Sequence, residues 1–308
     1  MTIDELNVYV ESGTIDEFIR VEEARQVKAL SKIADRICER EGVRLVLLAG
    51  ASSAGKTTTA KRLATQLRVN GREAIHLSTD DYFVGDARNP RDENGEFDYE
   101  CVGCVDAPRL AADVNALLAG KAVKMRRFDF TKHDGYDAED FTSIPEDGVI
   151  VLEGIHALNP VLTPEIPDAV KFRLFIEPTT QPEVFALTRL APADARLLRR
   201  IVRDNQFRKM DPAETFRLWP KVLAGEEKWI NPFRPLADAT FDSALPYELA
   251  VLKPYVAGLL ARVLLKDPAN VKARILTELL DRVESTDSSK VPGDSILRET
   301  IGGSQLEY

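Results

Sequence analysis

The chain has 308 residues, 44% hydrophobic and 30% charged, a balance that suits a folded globular protein and leaves room for a large core. Its 50 acidic residues against 41 basic ones give a net charge of −9, which argues against nucleic acid or an anionic membrane as a partner. No apolar run approaches the roughly 18 residues of a membrane helix, the acidic start MTIDELNVYVESGTIDEF is unlike a secretory signal, and three cysteines make no disulfide framework, so a cytoplasmic protein is expected.

Residues 18–41 carry apolar side chains at helical spacing and read as an amphipathic helix, the main part of a helical extension over 1–42. VRLVLLAG, ending at Gly50, is a continuous apolar run of the kind buried on both faces of a sheet. GKTTTAKRLATQLRVNG follows as a helix stopped by Asn70-Gly71. EAIHLST predicts a second buried strand, KAVKMRRFDF a third, GVIVLEG a fourth and VKFRLFIE a fifth, with helical patterns such as APRLAADVNALLAG between most of them. Strand and helix in alternation predict an α/β fold with a doubly wound, parallel, five-stranded sheet. Beyond Pro182 the chain becomes mostly helical and arginine-rich. The expected organisation is a core over 43–266 with an arginine-rich lid at about 192–212, then a C-terminal helix and tail over 267–308 packing on the core. In that tail STDSSKVPGDS reads as a polar linker.

Gly50-Ala51-Ser52-Ser53-Ala54-Gly55-Lys56-Thr57 fits G-x-x-x-x-G-K-[ST] in full, between a predicted strand and a predicted helix. The glycines let backbone N–H groups turn inward on a phosphate, and the helix adds its positive end. Lys56 would reach the β and γ phosphates and the Thr57 hydroxyl would ligate Mg²⁺, which predicts a P-loop NTPase fold using ATP and Mg²⁺. Glu153 ends the fourth buried strand and is the candidate acid beside the metal. Asp80, in LSTDDYF, ends the second strand at the same sheet edge, where a carboxylate can serve as general base. Asp81 reads rather as support, the pair also fitting a helix N-cap and its neighbour. Cys101 and Cys104 make one C-x-x-C, but His76, His133 and His156 stand alone, so no zinc set is formed and the two read as ordinary thiols. Arg196, Arg199, Arg200, Arg203 and Arg208 recur at helical intervals and would face the phosphates, unless Asp194 and Asp204 make them a salt-bridged surface helix.

LSTDDYF resembles the acid-plus-aromatic motif of the uridine–cytidine kinases. FDYECVGCVDAP, FDFTKH, VLEGIHAL and RLLRRIVRD are similar to that family's ribose-holding segment, base-contacting hairpin, metal-side strand and lid. With SILRETIGGS at the end, the chain from about Leu45 onward looks like a uridine kinase-like member of the phosphoribulokinase/uridine kinase family of P-loop kinases. The resemblance implies an ATP- and Mg²⁺-dependent kinase acting on the 5′-hydroxyl of a pyrimidine nucleoside. Asp80, Lys56 and Arg199 would then be catalytic. Gly50, Ser52, Ser53, Ala54, Gly55, Lys56, Thr57, Thr58, Arg196, Arg200 and Arg203 would bind the nucleotide, and Thr57, Glu153 and Asp80 the metal. Asp80, Phe83, Asp98, Glu100, Phe128, His133 and Arg196 would line the acceptor site. Phe130 is a further stacking candidate, although the two phenylalanines also suit a core.

Two departures bear on the acceptor. Glu100 stands where the nucleoside kinases usually have aspartate, with Asp98 as rival, and the usual Phe-Tyr is here Tyr82-Phe83. A sugar phosphate or another small alcohol stays open, since Arg126, Arg127 and Lys132 could hold an anionic acceptor. A GTP-binding switch is the other reading, from Asp92-Glu93-Asn94-Gly95 (D-x-x-G) and Thr131-Lys132-His133-Asp134 (T-K-x-D), though no apolar strand precedes the first. ATP or GTP as donor is left open, as is a homo-oligomer built by the N-terminal helix.

Overall fold

Leu45–Ala49 (β1) and Val149–Glu153 (β5) are buried at every position, and this double-sided burial organises the molecule around them. The computed structural model describes residues 1–129, 132–185 and 188–307. In chain order its elements begin with α1 (Ile3–Glu11) and α2 (Ile15–Glu39), then β1, α3 (Lys56–Val69), β2 (Ala74–Ser78) and α4 (Ala107–Leu118). A hairpin of β3 (Val123–Asp129) and β4 (Asp134–Thr142) precedes β5, β6 (Lys171–Glu177) and the short pair β7 (Glu183–Phe185) and β8 (Thr188–Arg189). The rest is α5 (Pro192–Phe207), α6 (Pro212–Trp229), β9 (Ala239–Asp242), α7 (Glu248–Lys266), α8 (Val271–Asp281) and α9 (Arg298–Ile301).

The main sheet has five strands, all parallel, in the order β2-β5-β1-β6-β9. Alternate residues of β1 enter opposite cores, as a two-residue period requires. Val46 and Leu48 pack with α2, α3, α5 and α7, while Leu45, Leu47 and Ala49 pack with α4. One strand assignment needs correction. The described part of KAVKMRRFDF pairs antiparallel with β4 outside the main sheet, and the fifth place falls to β9. The reason is compositional: of β3 only Met125 is buried, and Lys124, Arg126 and Arg127 cannot be enclosed on both faces. ATFD carries little apolar signal, but at a sheet edge Ala239 and Phe241 suffice.

The N-terminal helix is a layer of the core. Ile19, Leu30, Ile33 and Ile37 of α2 join Leu63 and Leu67 of α3 in one cluster. A buried polar link crosses this layer: Arg62 lies 3.3 Å from Glu23, which accepts from the Tyr247 hydroxyl at 2.6 Å. The tail also packs down, and the stretch read as a linker contains buried Val291 and Ser295. Among the described residues no helix is long and apolar enough to cross a membrane.

Candidate active site

The P-loop joins β1 to α3. Its left-handed positions are Ser53 (φ 61°) and Gly55 (φ 89°). Lys56 Nζ donates to Ala51 O at 3.3 Å, and Thr57 Oγ1 donates to Glu153 Oε1 at 3.0 Å. The β2–β5 register sets Ser78 beside Glu153, so that Ser78 Oγ donates to the same Oε1 at 2.9 Å and accepts from the Asp80 amide at 3.3 Å. Ser78, not either aspartate, thus caps the 3₁₀ turn Thr79–Tyr82, which corrects the N-cap reading. The chain fits here because residue 154 is glycine: a Cβ there would overlap Thr79 Oγ1.

Glu153 is 3% exposed, no solvated strand end. Burial pushes its carboxyl up, but His76 (Nε2 at 3.7 Å), Lys56 and Ser78 outweigh this and hold it below the ordinary range. Asp80 is exposed to solvent, with protein crowded around it. Desolvation and the Glu153 charge raise its pKa to about 6, against the pull of Lys56 and Arg208. The neighbouring carboxylate plays another part, since Asp81 takes Arg127 at 2.8 Å and so ties the turn to β3.

The arginines of α5 divide. Arg196 Nη1 donates to Ser52 O at 3.2 Å while Nη2 pairs with Glu226 at 2.7 Å. Arg200 Nη1 donates to Ser52 Oγ at 2.9 Å, and Arg200, Arg203 and Arg208 gather around Asp204, which is fully buried. Arg199 is placed differently from the expectation. It is 1% exposed, with Nε 2.7 Å from Glu248 Oε2 and Nη2 donating to Ser243 O at 2.9 Å. A guanidinium enclosed this completely requires a carboxylate partner, and that partner holds it on the α7 side. Arg196 and Arg200 are the arginines hydrogen-bonded to the P-loop, and the charges of Arg208 and Arg200 act on Asp80 and Glu100 respectively.

On the acceptor side, desolvation raises the Glu100 pKa to about 6, with Arg200 and Lys56 opposing and Asp80 adding to the rise. Asp98, its rival, instead accepts from the Glu100 amide at 3.1 Å, closing the turn that presents Glu100. Phe83 and Phe128 meet edge to face with centroids 5.6 Å apart, and half-exposed His133 stands 3.3 Å from Asp86. The exchanged Tyr82 is buried, its hydroxyl donating to Asp113 at 3.0 Å, so the missing hydroxyl of position 83 has become a core anchor. Phe130 and Thr131 lie outside the described residues. Asp92 of the D-x-x-G segment closes a loop turn and pairs with Lys221 on α6 at 2.7 Å. Cys104 is buried with its thiol 3.4 Å from Tyr99 O, and both cysteines of the C-x-x-C are free thiols.

Sequence reasoning offered Asp204 as a salt-bridge partner of the arginines but passed over Ser78, His76 and two further carboxylates behind the arginines, Glu226 and Glu248. Only the strand register gives Ser78 its meaning, and the acids become partners through contacts of α5 with α6 and α7. Among the described residues no cluster of three or more His, Cys, Asp or Glu could hold a metal. Thr57, Glu153 and Asp80 fit the sparser need of a Mg²⁺ that keeps waters and phosphates as ligands.

A family model described as Phosphoribulokinase / Uridine kinase family matches residues 45–247, the stretch that carries the P-loop, both acids and the arginine helix. The chain belongs to that family. Among curated relatives, a uridine kinase of Deinococcus deserti is 30% identical over 192 residues, covering 62% of this chain and 83% of that protein. A uridine kinase of Staphylococcus aureus strain JH9 is 28% identical over 197 residues, 63% of this chain and 84% of the relative. A solved structure described as a possible uridine kinase from Bacillus stearothermophilus is 18% identical with a TM-score of 0.46, covering 72% of this chain and 100% of that one. The protein is a nucleotide-using P-loop phosphotransferase acting on a hydroxyl group, and the switch reading is set aside.

Proposed function

We propose that this kinase moves the γ-phosphoryl group of ATP, with Mg²⁺, to the 5′-hydroxyl of a pyrimidine nucleoside. The observation that carries the reading is Asp80, in the turn just past β2 that Ser78 caps, with the Ser78 hydroxyl and the P-loop Thr57 hydroxyl both on Glu153 Oε1. Asp80 removes the hydroxyl proton as the oxygen attacks, while the P-loop amides, Lys56 and the arginines beside the P-loop hold the phosphates. Mg²⁺ held by Thr57 and Glu153, with Asp80 beside them, would neutralise charge on the transferring group. Glu100 takes the ribose hydroxyls, and Phe83, Phe128 and His133 form the wall for the base. An uncharged acceptor is favoured over a sugar phosphate by one feature. Two of the three candidate cations of the hairpin already have carboxylates, Arg127 with Asp81 and Lys132 with Asp129, which leaves only Arg126 of the three to meet an anionic acceptor. The uridine kinase relatives point the same way.

ADP release from ATP and Mg²⁺ should be stimulated by uridine or cytidine and not by ribulose 5-phosphate, pantothenate or simple sugars. Turnover confined to a phosphorylated or open-chain alcohol would overturn the acceptor while keeping the kinase frame. The pH profile follows from the same acid. A base with a pKa of about 6 must be ionised to work, so kcat/KM should fall about tenfold per pH unit below about pH 6. A profile flat to pH 5 would exclude Asp80 as the base.

A further inference from the structure

The C-terminal segment lies outside the region matched by the family model, yet it closes on the P-loop. Ile296 packs on Gly55 so closely that a Cβ there would collide with it. Thr58 Oγ1 donates to Glu299 Oε2 at 3.1 Å, and Arg62 of the same helix faces Asp294 at 3.9 Å. The segment is firmly held, with Ser295 and Leu297 fully buried and Arg298 donating to the carbonyls of Ser288, Val291, Pro292 and Gly302. Between segment and P-loop remains a small cavity lined by Ser53, Gly55, Arg199, Ile296, Glu299 and Thr300. Two of its buried polar groups, Ser53 Oγ and Arg199 Nη1, have no hydrogen-bond partner among the described residues. Buried donors of this kind are costly to leave unmade, and the space beside them has room for about one water or one polar group of a ligand.

The direction of the triphosphate says which part of a ligand belongs there. The lysine of this motif reaches the β and γ phosphates, so the transferred phosphate is at the Lys56 end. The α phosphate then rests at the start of α3, and the donor's nucleoside continues past Thr58. Glu299 is a carboxylate in direct contact with Thr58. A carboxylate repels phosphate, but its two oxygens can accept from the two neighbouring hydroxyls of a ribose. We propose that the C-terminal segment forms the wall of the donor-nucleoside site, with Glu299 exchanging Thr58 for the ribose hydroxyls of the bound nucleotide. The role is distinct from that of Glu100, which faces the acceptor. The inference rests on the reading of the P-loop as the donor site.

The test is calorimetric titration of the full chain, with Mg²⁺, by ADP, 2′,3′-dideoxy-ADP and inorganic tripolyphosphate. Glu299→Ala should bind ADP roughly tenfold or more weakly, as loss of hydrogen bonds to a charged group implies, with tripolyphosphate affinity unchanged. Wild type should lose about as much on going from ADP to the dideoxy ligand, and the variant should no longer distinguish the two. Glu299→Gln, which keeps an acceptor for Thr58, should fall between and guards against a folding effect. Equal weakening of ADP and tripolyphosphate would mean that Glu299 only braces the P-loop, and the proposal would be wrong. Unchanged or tighter ADP binding would overturn it as well. Wild type that binds neither ADP nor tripolyphosphate would instead remove the donor-site reading itself, and this inference with it.

Discussion

Asp80→Asn should lower kcat by about 10²–10⁴-fold and leave ADP affinity nearly unchanged, because the amide keeps the shape of the side chain and loses only its basicity. The same substitution should raise the melting temperature at pH 8. In the folded protein the Asp80 pKa is raised from 3.8 to about 6, so the native state holds this proton more tightly than the unfolded chain. Its contribution to stability is therefore fully present below about pH 4 and is lost as pH rises through about 6. Above that, ionised Asp80 works against folding, chiefly through desolvation and the nearby Glu153 charge, and asparagine relieves both. At pH 4 the two proteins should melt alike. A variant that loses activity without this pH-dependent gain would show that Asp80 acts by position and not by a strained charge. Near-normal turnover in Asp80→Asn would remove the general-base assignment outright.

The parts of this site readable in the sequence are those fixed by local chemistry. The P-loop is contiguous, and its glycines, lysine and threonine are set by backbone curl and phosphate charge. Asp80 and Glu153 are readable because each ends an apolar run, and parallel strands end at one edge of the sheet. What escaped depends on which elements become neighbours. KAVKMRRFDF has the length and flanks of a strand but the charges of a solvent-facing hairpin, and β9 is too short to announce itself. The arginine helix shows the limit most clearly. Spacing places Arg196, Arg199, Arg200 and Arg203 on one face, but α5 lies among the P-loop, α6 and α7, so members of that face meet different partners. The carboxylates that sort them are 30 residues away in Glu226 and 49 away in Glu248.

Arg199 is where that limit can be measured. Arg199 and Glu248 are each 1% exposed and 2.6 Å apart at their closest, which makes them a fully desolvated pair. Glu248→Ala should cost about 3–5 kcal/mol, since it leaves a buried guanidinium without its counter-charge. In a chain of this size that is a fall in melting temperature on the order of 10 °C. Replacing both partners, Arg199→Met with Glu248→Leu, should recover most of the stability, because two apolar side chains of similar volume remove the desolvation penalty along with the attraction. The double variant separates structure from catalysis. If Arg199 is held by α7 for the sake of the fold, its kcat should stay within about threefold of wild type. Any kinetic effect should then fall on KM for the donor, since Arg199 lines the cavity beside Ser53 and its Nη1 is held by none of the described residues. A phosphate-stabilising arginine loses far more than this when removed, because its charge acts in the transition state. A double variant that folds well yet turns over a hundredfold more slowly would return Arg199 to the catalytic group, with Glu248 as the residue that aims it.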